Sequence, residues 1–211
     1  MNSLSKRLEV LASFIDKEDS LVDVGCDHGY LSIYLKENKK CNNVICSDVN
    51  QNALNSAINN IKKTNLVIDC YLSDGIRDVP MDNINTIVIA GMGTSNIISI
   101  LSDKNKIKNV NKIVLQSNNN HEELRRFMND INYYLDKEKY VYDKGKWYTI
   151  MLFRKNNKKN KETELKYGFL DRKYGEYLLD NYKKIRDKIP ENNIDYQKYE
   201  EKIKEIETMI R

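Results

Sequence analysis

From residue 21 to residue 116 two hydrophobic rhythms take turns along the chain. Short apolar runs rich in β-branched residues end in Gly, Asp or Ser, and stretches of roughly 10–15 residues with helical spacing separate them. The runs predict strands at Leu21–Gly25, Asn43–Asp48, Leu66–Leu72, Thr86–Ala90 and Lys112–Gln116. The spacing between them predicts helices at Tyr30–Glu37, Gln51–Lys63, Ser95–Leu101 and Glu122–Ile131. A leading helix over Ser5–Ile15 sets Leu8, Leu11 and Ile15 on one stripe. Such alternation builds βαβ units, so the expected class is α/β, with a parallel sheet covered by helices on both faces.

After residue 132 the pattern changes. Tyr133–Tyr142 and Lys146–Arg154 are strand-like and flank Asp143-Lys144-Gly145, a compact turn with a Gly for positive φ. The parallel sheet should therefore be closed by an antiparallel hairpin. From Lys161 the spacing is helical again. Tyr199, Ile203, Ile206 and Ile210 form a heptad-like seam, and Tyr174, Tyr177, Leu178, Ile185 and Ile189 form an earlier one. Pro190 and Glu191-Asn192-Asn193 divide the two, which predicts an α-helical hairpin, coiled-coil-like but too short to stand alone.

Length and composition narrow the class further. The 211 residues suit one domain and an extension, and 40% apolar content with only 8 Gly and 2 Pro excludes collagen-like and low-complexity chains. No apolar run is long enough to span a membrane, and Met1-Asn2-Ser3-Leu4-Ser5-Lys6-Arg7 lacks a signal-peptide layout, so a soluble, cytoplasmic protein is expected. Cys26, Cys41, Cys46 and Cys70 have no C-x-x-C pair and no His at ligand spacing; they read as reduced thiols, and no metal is expected. The net charge of +4 sits wholly in residues 151–211, with 16 basic and 12 acidic residues. It is densest in Arg154-Lys155-Asn156-Asn157-Lys158-Lys159-Asn160-Lys161, which reads either as a solvated linker or as a phosphate-tracking patch.

Open α/β sheets bind ligands beyond the carboxyl ends of their strands. Those ends read Asp23-Val24-Gly25-Cys26-Asp27-His28-Gly29, Asp48, Ser73-Asp74-Gly75, Gly91-Met92-Gly93 and Gln116-Ser117-Asn118. Glycines after the first strand allow close backbone approach, and an acid closing the second can bind both ribose hydroxyls. Both features serve dinucleotides and S-adenosylmethionine alike. Gly25-x-Asp27-x-Gly29 is not G-x-G-x-x-G, however, and Asp27 would repel a pyrophosphate while suiting a cationic sulfonium and amino group. The charge logic favours S-adenosylmethionine over NAD, and a sheet closed by an antiparallel last strand is the usual shape of methyltransferases.

These residues resemble the bacterial tRNA (adenine-22-N1)-methyltransferases. The likeness runs through Leu4-Ser5-Lys6-Arg7-Leu8, Asp23–Leu31, Ser73-Asp74-Gly75, Ile89-Ala90-Gly91-Met92-Gly93 and Leu115-Gln116-Ser117-Asn118, then Arg125, Glu138 and Tyr148. The chain departs from the family pattern at Thr94, where Gly is expected, and at Ser117 and Ser32, where Pro is expected. The resemblance implies a class I (Rossmann-like) S-adenosylmethionine-dependent methyltransferase domain over residues 1–155. It also implies a helical C-terminal domain over 156–211 that aids tRNA binding.

Cofactor contacts are then expected from Arg7, from Asp23, Gly25, Asp27 and His28, and from Asp48 and Val49. Ser73, Asp74 and Gly75 follow, and then Ala90, Gly91, Met92 and Gly93. Catalytic roles fall to Asp27, His28, Gln116, Asn118 and Tyr148. RNA contacts fall to Arg125 by resemblance, and by charge to Arg154, Lys155, Lys158, Lys159, Lys161, Lys183 and Lys184. Adenine N1 carries an in-plane lone pair and needs no prior deprotonation. That agrees with Gly91-Met92-Gly93 standing where amine methylases carry Asn/Asp-Pro-Pro-Tyr/Phe. Positive charge moves onto the base during transfer, so a fixed carboxylate, Asp27, would stabilise the transition state. N1 lies on the Watson–Crick edge, so the nucleotide must be unpaired, with Tyr30, Tyr148 or Trp147 to stack it.

Plainer roles stand beside these. His28 could cap the helix after it, Asp48 could be a loop acid, and Gln116 and Asn118 could satisfy backbone groups. Of Trp147 and Tyr148 one should face the core, and the tail tyrosines should be core stripe. The expected partner is tRNA and the expected state a monomer. The competing functions are methylation of another RNA or of a protein, and non-catalytic nucleotide or RNA binding.

Overall fold

The computed structural model describes residues 4–210; residues 1–3 and 211, at the ends of the two expected domains, lie outside the described residues. Seven strands form one sheet there: β1 (Ser20–Val24), β2 (Asn43–Asp48), β3 (Asp69–Leu72), β4 (Thr86–Met92), β5 (Lys112–Ser117), β6 (Tyr133–Asp143) and β7 (Lys146–Lys155). Their order is β3-β2-β1-β4-β5-β7-β6. β1 to β5 run parallel, and β7 lies antiparallel to both β5 and β6. The sheet is thus a parallel one closed by an antiparallel hairpin.

Every residue of β1 and β5 is buried, which is why their centres, Leu21-Val22 and Ile113-Val114-Leu115, are apolar on both faces. Alternate side chains serve two cores. Leu21, Val88 and Val114 pack with α1 (Lys6–Ala12), α2 (Tyr30–Glu37) and α3 (Gln51–Lys62), through Leu11, Leu35 and Leu54. Val22, Ile87 and Ile113 face the other side, against Ile97 and Leu101 of α4 (Thr94–Leu101) and Leu124 and Met128 of α5 (His121–Asp130). No helix among the described residues is long and apolar enough to cross a membrane.

Three elements differ from the sequence reading. The first helix is shorter than Ser5–Ile15, because Ser5 caps it by accepting the Leu8 N–H and the chain turns after Ala12. The third strand covers only Asp69–Leu72. It is the edge strand, paired with β2 alone from Asp69 onward, and Val67 just before it is 82% exposed. The tail holds three helices where two were expected: α6 (Glu162–Tyr167), α7 (Arg172–Arg186) and α8 (Ile194–Ile210). Gly175 meets Ile210, Lys183 pairs with Glu207 and Arg186 with Glu200, so α7 and α8 are antiparallel, with Ile203 and Ile206 buried along the seam.

One buried ion pair fastens the tail to the sheet domain. Arg125 of α5 donates from Nε and Nη2 to Oε1 of Glu138 on β6, at 3.1 and 2.7 Å. The other Glu138 oxygen accepts the Tyr140 hydroxyl at 2.6 Å and the Phe169 N–H at 2.8 Å. Gly168 closes against this pair with φ +73°, and a Cβ there would stand 1.7 Å from Glu138 Oε2. Removing one partner strands the other charge in the interior. Arg125→Met should therefore cost about 3–5 kcal/mol in urea unfolding, and adding Glu138→Gln should recover part of that loss. Equal stability of Arg125→Met and wild type would contradict the anchoring role.

Candidate active site

β2 and β3 lie on one side of β1, and β4 and β5 on the other, so the chain after β1 and after β4 leaves the sheet in opposite directions. A cavity of about 310 Å³ opens at that point. It brings together Gly25, Asp48, Val49, Ser73, Asp74, Gly75 and Met92, all expected from the strand ends, and adds Asn96, Ser99 and Ile100 from α4. Nothing in the sequence pattern singled out these α4 residues.

Asp48 sits at the centre of the loop geometry. It is 8% exposed; Oδ2 accepts the Asp27 N–H at 3.0 Å, and Oδ1 accepts the Asn50 N–H at 2.9 Å. Its backbone carbonyl takes the Ser73 N–H, and Ser47 Oγ donates to the Gly75 carbonyl at 2.6 Å. Gly25 turns the chain with φ +71°; a Cβ there would come 2.4 Å from Met92 Cε, at the cavity wall. Asp27 also has positive φ, 49°, and its side chain is exposed beside His28, whose Nε2 lies 3.7 Å away. His28 does not cap α2: Gly29 holds that position without a side-chain bond, and the His28 ring stacks on Tyr30 instead.

The second half of the site is an amide shelf at the ends of β4 and β5. β4 bulges between Ala90 and Met92, which turns Gly91 out of the ladder. The fully buried Gln116 accepts the Gly91 N–H at 3.1 Å and an Arg7 N–H at 2.7 Å on one oxygen, and donates to Asn118 Oδ1 at 3.2 Å. Asn118 in turn donates to the Gly91 carbonyl at 2.8 Å and keeps an exposed amide. Arg7 lies over the Tyr148 ring at 5.3 Å, and Lys146 lies at the same distance from that ring centre. The two main departures from the family pattern meet here: Thr94 Oγ1 and Ser117 Oγ are 2.8 Å apart, and Asn119 Oδ1 takes the Thr94 N–H just past Gly93. Asn119 and His121 belong to no motif legible in the sequence. His121 sets Nε2 3.1 Å from the Ser117 carbonyl, and burial pushes its pKa down.

Asp23 lies under the site, accepting from Ser32 Oγ at 2.7 Å, the third departure from the pattern. Burial raises its pKa to about 6 against the Ser32 bond, and the Asp48 charge adds to the rise. The folded-state value exceeds the ordinary 3.8, so the stability this group adds is present below that pH and is lost as pH climbs through 6.

Most of the expected RNA-binding cations are occupied. Arg125 is corrected: 3% exposed and held by Glu138, its guanidinium is out of reach of a surface phosphate. Arg154 pairs with Asp136 at 3.0 Å, Lys183 with Glu207 and Lys184 with Asp180. Lys155 donates to the Lys108 carbonyl, and Lys159 to Asn129 and Asn132. Lys158 and Lys161 are exposed.

The family described as a methyltransferase domain matches residues 4–151 of this chain. The chain belongs to that family. Protein MG248 of Mycoplasma genitalium, whose name proposes a tRNA methyltransferase, is 33% identical over 165 residues, 76% of this chain and 74% of that one. The tRNA (adenine(22)-N(1))-methyltransferase of Bacillus subtilis is 30% identical over 152 residues, 71% of this chain and 64% of that enzyme. Among solved structures, M. capricolum TrmK in complex with S-adenosyl-homocysteine has a TM-score of 0.85 at 30% identity, covering 99% of each chain. The methyltransferase domain of this chain therefore has its cavity at the switch point where such folds bind ligands.

Replacing Asp23 by Asn removes the titration beneath the site. The stability difference between Asp23→Asn and wild type should shift in the variant's favour by about 2 kcal/mol from pH 4 to pH 7. Unfolding curves at both pH values measure it, and a constant difference would show that folding does not raise the Asp23 pKa.

Proposed function

We propose that this chain transfers a methyl group from S-adenosylmethionine to N1 of an adenine in tRNA, the adenine at position 22. The observation that carries the reading is the meeting of a carboxylate-lined cavity with the Gly91–Gln116–Asn118 amide shelf at one strand edge. The Bacillus subtilis relative named for adenine 22 and the TrmK structure holding the cofactor product support it.

The residues fit that cofactor. Each oxygen of Asp48 accepts one backbone N–H and keeps a lone pair for a ribose hydroxyl. Val49, Ser73 and Gly75 line the same cavity, and Asp74, exposed and paired with Arg77 at 2.9 Å, can accept from an adenine amino group. The turn at Gly25 keeps the mouth clear beside Met92. Asp23, Ala90, Gly91 and Gly93 do not line the cavity but adjoin its wall residues Val24 and Met92 along β1 and β4, and Arg7 is held over the shelf by Gln116. When bound, S-adenosylmethionine supplies a methyl group on a positively charged sulfur, and this charge passes to the adenine ring as the N1 lone pair takes the methyl. Asp27, exposed at the mouth with His28, stabilises that migrating charge. Asn118 presents its exposed amide to the base edge, with Gln116 fixing its orientation and Arg7 linking Gln116 to Tyr148. Residues 1–155 carry the chemistry. Residues 156–211 help hold the RNA, with Lys158 and Lys161 as phosphate contacts, in a cytoplasmic monomer.

The test is incubation with labelled S-adenosylmethionine and unmodified tRNA, followed by nucleoside analysis. Labelled 1-methyladenosine is expected; label in another nucleoside or in protein, or none, contradicts the proposal. In the same assay Asp27→Asn should lower turnover by at least about tenfold with tRNA affinity held, since the charge it meets exists only in the transition state.

A further inference from the structure

The tip of the β6–β7 hairpin and the start of α7 share a surface that the proposed reaction does not use. Trp147, the chain's single tryptophan, lies edge-on to Tyr142 and Tyr174 at 5.5 and 5.4 Å and is tilted against Tyr177 at 5.8 Å. The back of the cluster is rigid: Tyr140 stacks on Tyr174 at 4.0 Å, and its hydroxyl donates to the buried Glu138. The front is open, with Tyr142 51% and Tyr177 41% exposed. Burying the cluster as core would account for Tyr174 but not for these two rings.

A cation stands over the open rings: Lys173 is exposed, with Nζ 5.7 Å from the Trp147 ring centre, and Lys144 is exposed at the hairpin turn, whereas Lys146 lies over Tyr148 on the other face. None of the ion pairs among the described residues involves these three lysines. The neighbouring acids are engaged: Asp143 accepts the Arg7 N–H, Asp171 accepts the Tyr174 N–H, and Glu176 pairs with Arg172. The patch therefore combines open aromatic faces with lysines that hold no ion pair, beside the Asp143 and Asp171 carboxylates, which are held by backbone N–H groups.

Its position is fixed relative to the site. β5 and β7 pair from Lys112↔Arg154 up to Leu115↔Met151, and the hairpin continues to Lys146 at the carboxyl edge. Those five further residues carry the tip roughly 16 Å beyond the last pair. Arg7 ties it back, since it touches Asp143, Tyr148 and Gln116. Tyr148 has cations over its ring, whereas Trp147 next to it in the chain faces the opposite side of the sheet, toward α7.

We propose that this surface binds an unpaired nucleotide of the RNA next to the target adenine, the base stacking on Tyr142, Trp147 and Tyr177 and its phosphates meeting Lys173 and Lys144. The proposal rests on the RNA substrate inferred above. Exposing N1 requires the target to leave its stack, and the neighbour it abandons gains a new stacking partner here. Aromatic faces accept any base, and lysines without carboxylate partners meet phosphate without losing an ion pair.

Excitation at 295 nm reports Trp147 alone. Titrating the full-length protein with unmodified tRNA, and separately with an unstructured oligoadenylate, should quench its emission saturably. Tyr142→Ala and Tyr177→Ala should each weaken both affinities about fivefold. Lys173→Glu should lower the slope of log affinity against log salt by about one. S-adenosylhomocysteine affinity and melting temperature should stay as in wild type for all three variants. If tRNA binds and is methylated while Trp147 emission and the variants' affinities do not move, the surface proposal falls and the methyltransferase reading stands. If Tyr177→Ala instead abolishes self-association seen by sedimentation, with RNA affinity unchanged, the surface is a protein contact and the proposal also falls. Failure to form 1-methyladenosine is read separately by nucleoside analysis and bears on the reaction alone.

Discussion

The Asp48 carboxylate holds the candidate site in shape. β1, β2 and β3 end side by side at the carboxyl edge, and each end must turn without leaving a backbone donor unpaired in a half-buried place. Asp48 answers for three of these turns at once: it takes the N–H groups of Asp27 and Asn50 on its side chain and that of Ser73 on its carbonyl. The loop after β1 can then pass close over the cavity, with Gly25 and Asp27 both in left-handed conformations. The same charge, acting on Asp23 below, adds to the burial that moves Asp23 toward neutrality.

Across the cavity, Gln116 plays the matching part with neutral groups. One buried amide binds Arg7 from the first helix, Gly91 from the bulge and Asn118 from the next loop, so three separate segments take up one arrangement. Neutral amides suit a surface that must face a base whose charge changes during reaction, because they orient it without adding a fixed counter-charge. The carboxylates stand on the other side, where the donor's positive charge starts.

Much of this could be read in the sequence, for a physical reason. A strand buried on both faces has to be a β-branched run, and the residue that ends it at the carboxyl edge faces ligand, so Asp48, Gly25, Asp74 and Gly91 identified themselves by position. At the sheet edge Leu66–Leu72 has strand composition throughout, but only Asp69–Leu72 finds a partner. α6 was not separated from its neighbours, since six residues hold less than two full turns. Arg125 gives no sign of burial in the sequence: its partner Glu138 is on a different element, and nothing local distinguishes it from the half-buried Arg126 beside it. Asn96, Ser99 and the Thr94–Ser117–Asn119 bonds depend on how α4 meets the β5 loop, which no periodicity encodes.

The central claim is that the methyl donor sits at the β1–β2–β4 edge with its ribose on Asp48. Calorimetry of S-adenosylhomocysteine with wild type and Asp48→Ala measures it directly, with melting curves to confirm that the variant is folded. Loss of charge-assisted hydrogen bonds to the ribose should weaken binding at least about tenfold in a folded variant. An affinity within about twofold of wild type, on a scale where tenfold is 1.4 kcal/mol, would contradict the account.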